Sequence, residues 1–246
     1  MIREKRYISE YHEVFKKSGF VDDRELKVAA IHFYQKNTNA TERVTHNNSE
    51  KLWRIFRSDS SPTALYVDQG RLIVIKQQWE AKELEASIER LEKSCMAAGI
   101  EFFVGISDGR AGLSGVSELF YQARAALLNT ETEGRRLTEY KDIGIDKLIC
   151  AAGSQALQSF VSQKVGAITR YDEKNGTEFS KLLRYYIENN GSISSIAQQL
   201  GVHRNTVNYQ LGRIKELFAL TLNETDRAEL TLAFRILKLN EKGHLL

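Results

Sequence analysis

One run constrains this chain more than any other: Ser192-Ile193-Ser194-Ser195-Ile196-Ala197-Gln198-Gln199-Leu200-Gly201-Val202-His203-Arg204-Asn205-Thr206-Val207-Asn208-Tyr209-Gln210-Leu211. Ala197 is small where two helices must nearly touch. Gly201 follows where a tight turn favours positive φ, and Val207 stands where a second helix packs back. Ile193, Ile196, Ala197 and Leu200 repeat at helical spacing, as do Val207, Leu211, Ile214 and Phe218. The spacing predicts two short helices, each burying one face, joined as a helix-turn-helix.

The other face of the second helix carries Arg204, Asn205, Asn208, Tyr209, Gly212 and Arg213, and no acidic residue occurs from Val202 to Lys215. Guanidinium forks, amides and a phenol suit phosphates and base edges. Arg204, Asn205 and Thr206 fill the first turn, where orphan N–H groups and the positive dipole end favour a phosphate. His203 precedes the helix as a cap or phosphate contact. The expected DNA-binding set is therefore His203, Arg204, Asn205, Thr206, Asn208, Tyr209 and Arg213, with Asn205, Asn208 and Tyr209 nearest the bases. The expected partner is double-stranded DNA. A homo-oligomer, a dimer in the simplest case, is expected because one helix in one groove rarely supplies enough contacts.

The run Val202-His203-Arg204-Asn205-Thr206-Val207, with Tyr209, Leu211, Arg213 and Ile214, resembles the C-terminal helix-turn-helix of the PucR/CdaR family of bacterial transcription regulators. Leu182 to Gly191 resembles that family's lead-in helix ending at an Asn-Gly turn. Leu220 to Arg227, followed by Leu230, Leu232, Ala233 and Leu237, resembles its strand-like link and last helix. Gln210 stands where the family usually has Arg, and Gly212 where it is usually bulkier or charged. The first change removes a phosphate contact and the second weakens the helix, implying a weaker or more salt-sensitive module. The resemblance also implies a small-molecule effector acting through a sensor domain that is not visible in this sequence.

The 246 residues carry a formal net charge of only +3, so nucleic-acid affinity must come from a local patch. With 42% hydrophobic residues the chain can bury two modest cores. Cys95 and Cys150 lie far apart without neighbouring Cys or His, which suggests neither a zinc site nor a disulfide framework. The charged Met1-Ile2-Arg3-Glu4-Lys5-Arg6 has no apolar signal-like segment, and no long apolar run follows. A cytoplasmic protein is expected, with no membrane contact, no metal and no cofactor.

The first two thirds read as a mixed unit. Residues 26–34 form a strand apolar on both faces, 48–57 a helix, and 64–67 with 72–75 a hairpin around Asp68-Gln69-Gly70-Arg71. A long helix over 79–98, a strand over 100–106, a helix over 116–129 and a short strand near 137–140 follow. The succession predicts an antiparallel, ferredoxin-like palm covered by helices on one side. Val104-Gly105-Ile106-Ser107, Leu119 to Leu127 and Tyr140 to Ile145 resemble the GGDEF-like domain that precedes the DNA module in PucR/CdaR proteins. The fold class expected is α+β: a degenerate GGDEF-like palm followed by an all-α helix-turn-helix domain. Its boundaries are a charged connector helix over 1–25 with Ile8, Tyr11, Val14 and Phe15 on one side, the palm over 26–150, a bridge over 151–177 and the DNA module over 178–246.

Enzymatic readings are weak. Diguanylate cyclases of this fold hold nucleotide and metals with paired acids and glycines, whereas the matching hairpin here has one acid, Asp68, one Gly and Arg71. His12, His32, His46, His203 and His244 form no i, i+4 pair. Gly105, Gly109, Gly112 and Gly115 do not have Gly-x-Gly-x-x-Gly spacing and read as a flexible connection. The reading is a non-enzymatic, sequence-specific DNA-binding regulator of a metabolic operon, its palm serving regulation or dimerisation. The alternative is a nucleotide-binding or degenerate-cyclase signalling module whose C-terminal helices only contact protein.

Overall fold

The computed structural model describes residues 15, 18–35, 38–57 and 61–243, and the chain divides into two compact units, Met1–Lys147 and Leu148–Leu246. The connector helix expected over 1–25 lies largely outside the described residues. Phe15 is buried and packs edge-on against Phe20 at 5.1 Å.

The first unit is organised by β1 (Glu25–Gln35), the middle strand of a seven-stranded sheet. Ala29, Ile31 and Phe33 enter one apolar cluster, and Leu26, Val28 and Ala30 enter another on the opposite face. A strand apolar on both sides needs cover on both sides. On the first face, α1 (Thr41–Asn47), α2 (Ser49–Phe56) and α3 (Ala81–Met96) contribute Val44, Leu52, Phe56, Leu84 and Leu91. On the second, α4 (Val116–Glu133) contributes Leu119, Ala123 and Leu127. The one-sided cover expected of the palm therefore holds only for α1 to α3, and α4 closes the other face.

Around β1 the sheet order is β3 (Thr63–Asp68), β4 (Arg71–Gln77), β1, β5 (Glu101–Ile106) and β7 (Leu137–Glu139). The short strands β2 (Thr38–Asn39) and β6 (Arg110–Ala111) also pair with β1. All pairings are antiparallel except β5 with β7, which is parallel because α4 crosses over between them. The sheet is thus mixed, not purely antiparallel. The β3–β4 turn has positive φ at Gln69 (46°) and Gly70 (72°), the type I′ geometry whose twist matches the strands.

The four glycines read as a flexible connection divide. Gly105 lies within β5, and a Cβ there would come within 2.0 Å of the Leu127 backbone nitrogen and 2.3 Å of the Ala123 carbonyl oxygen. The glycine lets α4 lie directly on the sheet. Gly109, Gly112 and Gly115 follow in the segment leading to α4.

Several polar groups buried in this unit are paired, while His32 Nε2, Trp79 Nε1 and Thr138 Oγ1 are buried without a hydrogen-bond partner. The Lys76 ammonium donates to the Phe56 carbonyl (2.9 Å) and to Glu83 (2.5 Å), and the Asn129 amide donates to Asp146 (2.7 Å). His32 Nδ1 lies 2.6 Å from a Glu131 carboxylate oxygen that also accepts from the Tyr34 hydroxyl at 3.1 Å. Burial first, then the Glu131 charge, raises the Tyr34 pKa well above its ordinary value. Burial also pushes the Cys95 thiol up to about 11, as befits an unreactive core thiol.

The unit boundary falls within α5 (Asp146–Ala151). The second unit then comprises α6 (Ser154–Asn175), α7 (Phe179–Glu188), α8 (Ile193–Leu200), α9 (Arg204–Phe218) and α10 (Glu224–Gly243). The bridge expected over 151–177 is mostly α6, which belongs to this unit and buries Leu157, Val161, Val165 and Ile168. Those residues make one helical stripe, and α6 contacts α7 and α10. The polar stretch Asp172 to Gly176, within the bridge expected over 151–177, completes α6 and ends at Gly176 in the left-handed region.

Asp172 has a second task. Its carboxylate accepts from the Thr177 hydroxyl (2.5 Å) and from the backbone N–H groups of Phe179 and Ser180 (2.8 Å each), capping α7 from the preceding helix. Burial works to raise its pKa, but these hydrogen bonds outweigh it and hold the carboxyl below the usual range.

Candidate nucleic-acid interface

The turn between α8 and α9 is built as its residues demand. Ser192 caps α8, its Oγ accepting from the Ser195 backbone N–H. Gly201 ends the helix at φ 66°, and the Val202 N–H returns to the Ala197 carbonyl at 3.0 Å. Ile196 and Ala197 of α8 and Val207, Leu211 and Ile214 of α9 are buried, so the two apolar stripes close one core. The Asn-Gly turn ahead of α8 places Asn190 at φ 50° and Gly191 at φ 79°.

This packing leaves the opposite face of α9 open. His203 is its N-cap, with Nδ1 accepting from the Asn205 N–H at 3.2 Å. Arg204, Asn205, Thr206, Asn208 and Tyr209 are exposed, Tyr209 to 65%, and Arg213 is half-buried. The Arg213 guanidinium donates to the Tyr209 hydroxyl one turn earlier (3.4 Å), joining the two as a ridge. That hydroxyl first, then Tyr171, holds the Arg213 pKa above its ordinary value, so the charge is permanent. Arg204 reaches back to Ser194 Oγ at 3.4 Å.

All seven residues singled out from the sequence thus stand at the start or along the outer face of one helix. The arrangement offers two guanidinium groups, two amides and two hydroxyls beside the positive dipole end of a helix start. Ser194 and Tyr171, which position the two arginines, carried no sequence signal because they lie 10 and 42 residues from their partners. The link after α9, expected to be strand-like, is an irregular loop. Ala219 (φ 52°) and Leu222 (φ 56°) are left-handed, and the Asp226 carboxylate accepts from the Thr221 and Leu222 N–H groups and the Thr221 hydroxyl. Those bonds, the Thr221 hydroxyl foremost, keep Asp226 below the usual carboxylate range.

The Asp68 hairpin is not a comparable site. Its Arg71 donates to the Gln69 carbonyl and Asn39 donates to the Gly70 carbonyl. Among the described residues no group of three or more His, Cys, Asp or Glu side chains is placed to hold a metal ion. No helix among them is long and apolar enough to cross a membrane.

The second unit is a helix-turn-helix domain by its turn, core and open face. Residues 179–236 match the PucR C-terminal helix-turn-helix domain. It is also similar to the proline-responsive transcriptional activator PutR of Bacillus subtilis (strain 168), 24% identical over 141 residues. That match covers 55% of this chain but only 34% of the relative, so the chain spans about a third of that protein's length. Among solved structures it is similar to a regulator of polyketide synthase expression from Bifidobacterium adolescentis, at 17% identity and TM-score 0.39, covering 94% and 90% of the two chains. The coiled coil and GGDEF domain of DgcB from Caulobacter crescentus gives 14% identity and TM-score 0.34, over 55% and 78%.

Proposed function

We propose that this chain is a sequence-specific, DNA-binding transcriptional regulator that reads double-stranded DNA with the outer face of α9. The observation that carries this reading is the single helix face on which Arg204, Asn205, Thr206, Asn208, Tyr209 and Arg213 meet with no acidic neighbour before Glu216. Asn205 and Asn208 offer the donor–acceptor pair that suits adenine, and Arg204 and Arg213 meet phosphate or guanine. Regulation of a metabolic operon, with an effector sensed by a further domain, is the role that the family implies.

We further propose that the first unit is a degenerate GGDEF-like palm without cyclase activity. Strand order β3-β4-β1-β5 with the helices α1 to α3 on one face supports the palm. The hairpin that would hold nucleotide and metal presents one acid, Asp68, next to Arg71, which argues against catalysis.

The test is binding of operator DNA selected from random sequence, against unselected DNA, across a salt series. Asn205→Ala is expected to lose about 1–3 kcal/mol on the selected site and much less on random DNA. Arg213→Ala, as a phosphate contact, weakens both alike and flattens the salt slope by about one unit. Folded variants with unchanged affinities would assign DNA reading to another surface.

A further inference from the structure

The sheet of the first unit has two ends of different character. At one end β7 is three residues long, includes Glu139 and follows Arg135 and Arg136, which blunts it against pairing. At the other end β3 runs six residues in unbroken register with β4, and Thr63-Ala64-Leu65-Tyr66-Val67 contains no charge and no bulge. Among the described residues its outer side pairs with no strand. Tyr66 is 39% exposed, Val67 37% and Trp53 of the adjacent α2 38%, around a hollow of about 380 Å³ lined by Leu52, Trp53, Leu65, Val67 and Leu72.

The hairpin geometry decides which backbone groups face outward. In a two-residue type I′ hairpin the residues flanking the turn, Asp68 and Arg71, exchange hydrogen bonds, so Asp68, Tyr66 and Ala64 face β4. The bond from the Gln77 N–H to the Pro62 carbonyl continues the same alternation. Thr63, Leu65 and Val67 therefore direct their N–H and C=O groups away from the sheet. Pro62, the residue expected to protect such an edge, has its missing N–H on the inner side and leaves the outer side open.

These three outward residues are symmetric about Leu65. We propose that β3 is a two-fold interface between two copies of this chain, pairing antiparallel with Leu65 opposite Leu65 and Thr63 opposite Val67. A second copy suits the edge because that register uses every outward N–H and C=O between Thr63 and Val67 with no overhang. It sets Ala64 beside Tyr66, a small residue against a ring, and opposes no like charges, since each Asp68 meets Pro62. Leu65 and Val67 of each copy then extend the apolar floor of the other's hollow.

Sedimentation equilibrium without DNA tests this, so it stands or falls apart from the reading of α9. The wild type and Asn205→Ala are expected to be dimers. Val67→Lys, which places a charge on the edge, and Val67→Pro, which removes one outward N–H, are expected to dimerise at least about tenfold more weakly with unchanged far-UV circular dichroism. Independently, the two Leu65 Cα atoms would lie about 5.5 Å apart, so Leu65→Cys cross-links under mild oxidation where the wild type does not. A wild type that stays monomeric at high micromolar concentration, a dimer untouched by both Val67 variants, or a Leu65→Cys chain that fails to cross-link overturns the interface.

Discussion

Buried polar residues separate the two units. Among the described residues, Thr41, Lys76, Gln77, Ser107, Asn129, Glu131 and Asp146 are all buried in the sheet unit, while the buried residues of the helical unit are all apolar. In the sheet unit, strands and helices distant in sequence must agree on one arrangement, and interior bonds such as Thr130 Oγ1 to the Val104 carbonyl and Asn129 to Asp146 tie helix to strand and helix to helix. The helical unit adds capping bonds at helix ends on or near the surface: Asp172 before α7, Ser192 before α8, His203 before α9 and Asp226 at the start of α10. Local caps fix short helices without occupying their outer faces. That leaves the exposed side of α9 free to carry its arginines and amides.

The comparison breaks most sharply at Gly105. Alanine there must push the α4 backbone off β5, since its Cβ would meet main-chain atoms that cannot swing aside. Gly105→Ala is expected to destabilise the chain by at least about 3 kcal/mol in urea unfolding. A loss under about 1 kcal/mol would mean that α4 is not seated as closely as this contact requires.

Asp172 probes the capping side of the comparison. Asp172→Ala removes three hydrogen bonds at the start of α7 and should cost about 1–2 kcal/mol, with Asp172→Asn recovering part of it. The sign of its pH dependence follows from the lowered pKa. The unfolded chain binds this proton more readily, so the carboxylate's contribution is complete above the unfolded value near ~4 and is lost as pH falls through the lower folded value. Asp226 acts in the same direction. The wild type should therefore lose stability below about pH 4 more steeply than Asp172→Ala, and equal acid slopes would remove the cap from the account.

How far the sequence reaches follows the same division. The α8–α9 turn, its glycine and its apolar stripes were legible because all their constraints are local: Ala197, Gly201 and Val207 lie within one short run. β1 announced burial on both faces, yet which element would cover the second face was not legible, because α4 meets it through Gly105 in a close approach without periodicity. The His32–Glu131 contact joins residues 99 apart and left no pattern to read. α6 showed its stripe at Leu157, Val161, Val165 and Ile168 but was read as a bridge, since Asp172-Glu173-Lys174-Asn175-Gly176 has a loop's composition. There the acid that looks like a loop former is a helix cap reaching across the turn.

The smallest expected effect has the opposite sign to the largest. Gly212 lies in the middle of α9, and a Cβ built on it meets nothing within 4 Å. No close approach demands glycine here and its backbone is helical, so its main consequence is the entropy lost on ordering it. Gly212→Ala is expected to stabilise the chain by about 0.5–1 kcal/mol, read as a higher urea midpoint at unchanged slope. The same substitution that wedges two elements apart in the sheet unit thus stiffens a helix in the other. If α9 reads DNA with the Asn205 and Tyr209 face, a stiffer helix should keep or modestly raise affinity for the selected site. A stabilised variant that loses binding would instead show that the DNA approaches α9 closely at Gly212, moving the contact surface toward the C-terminal half of the helix.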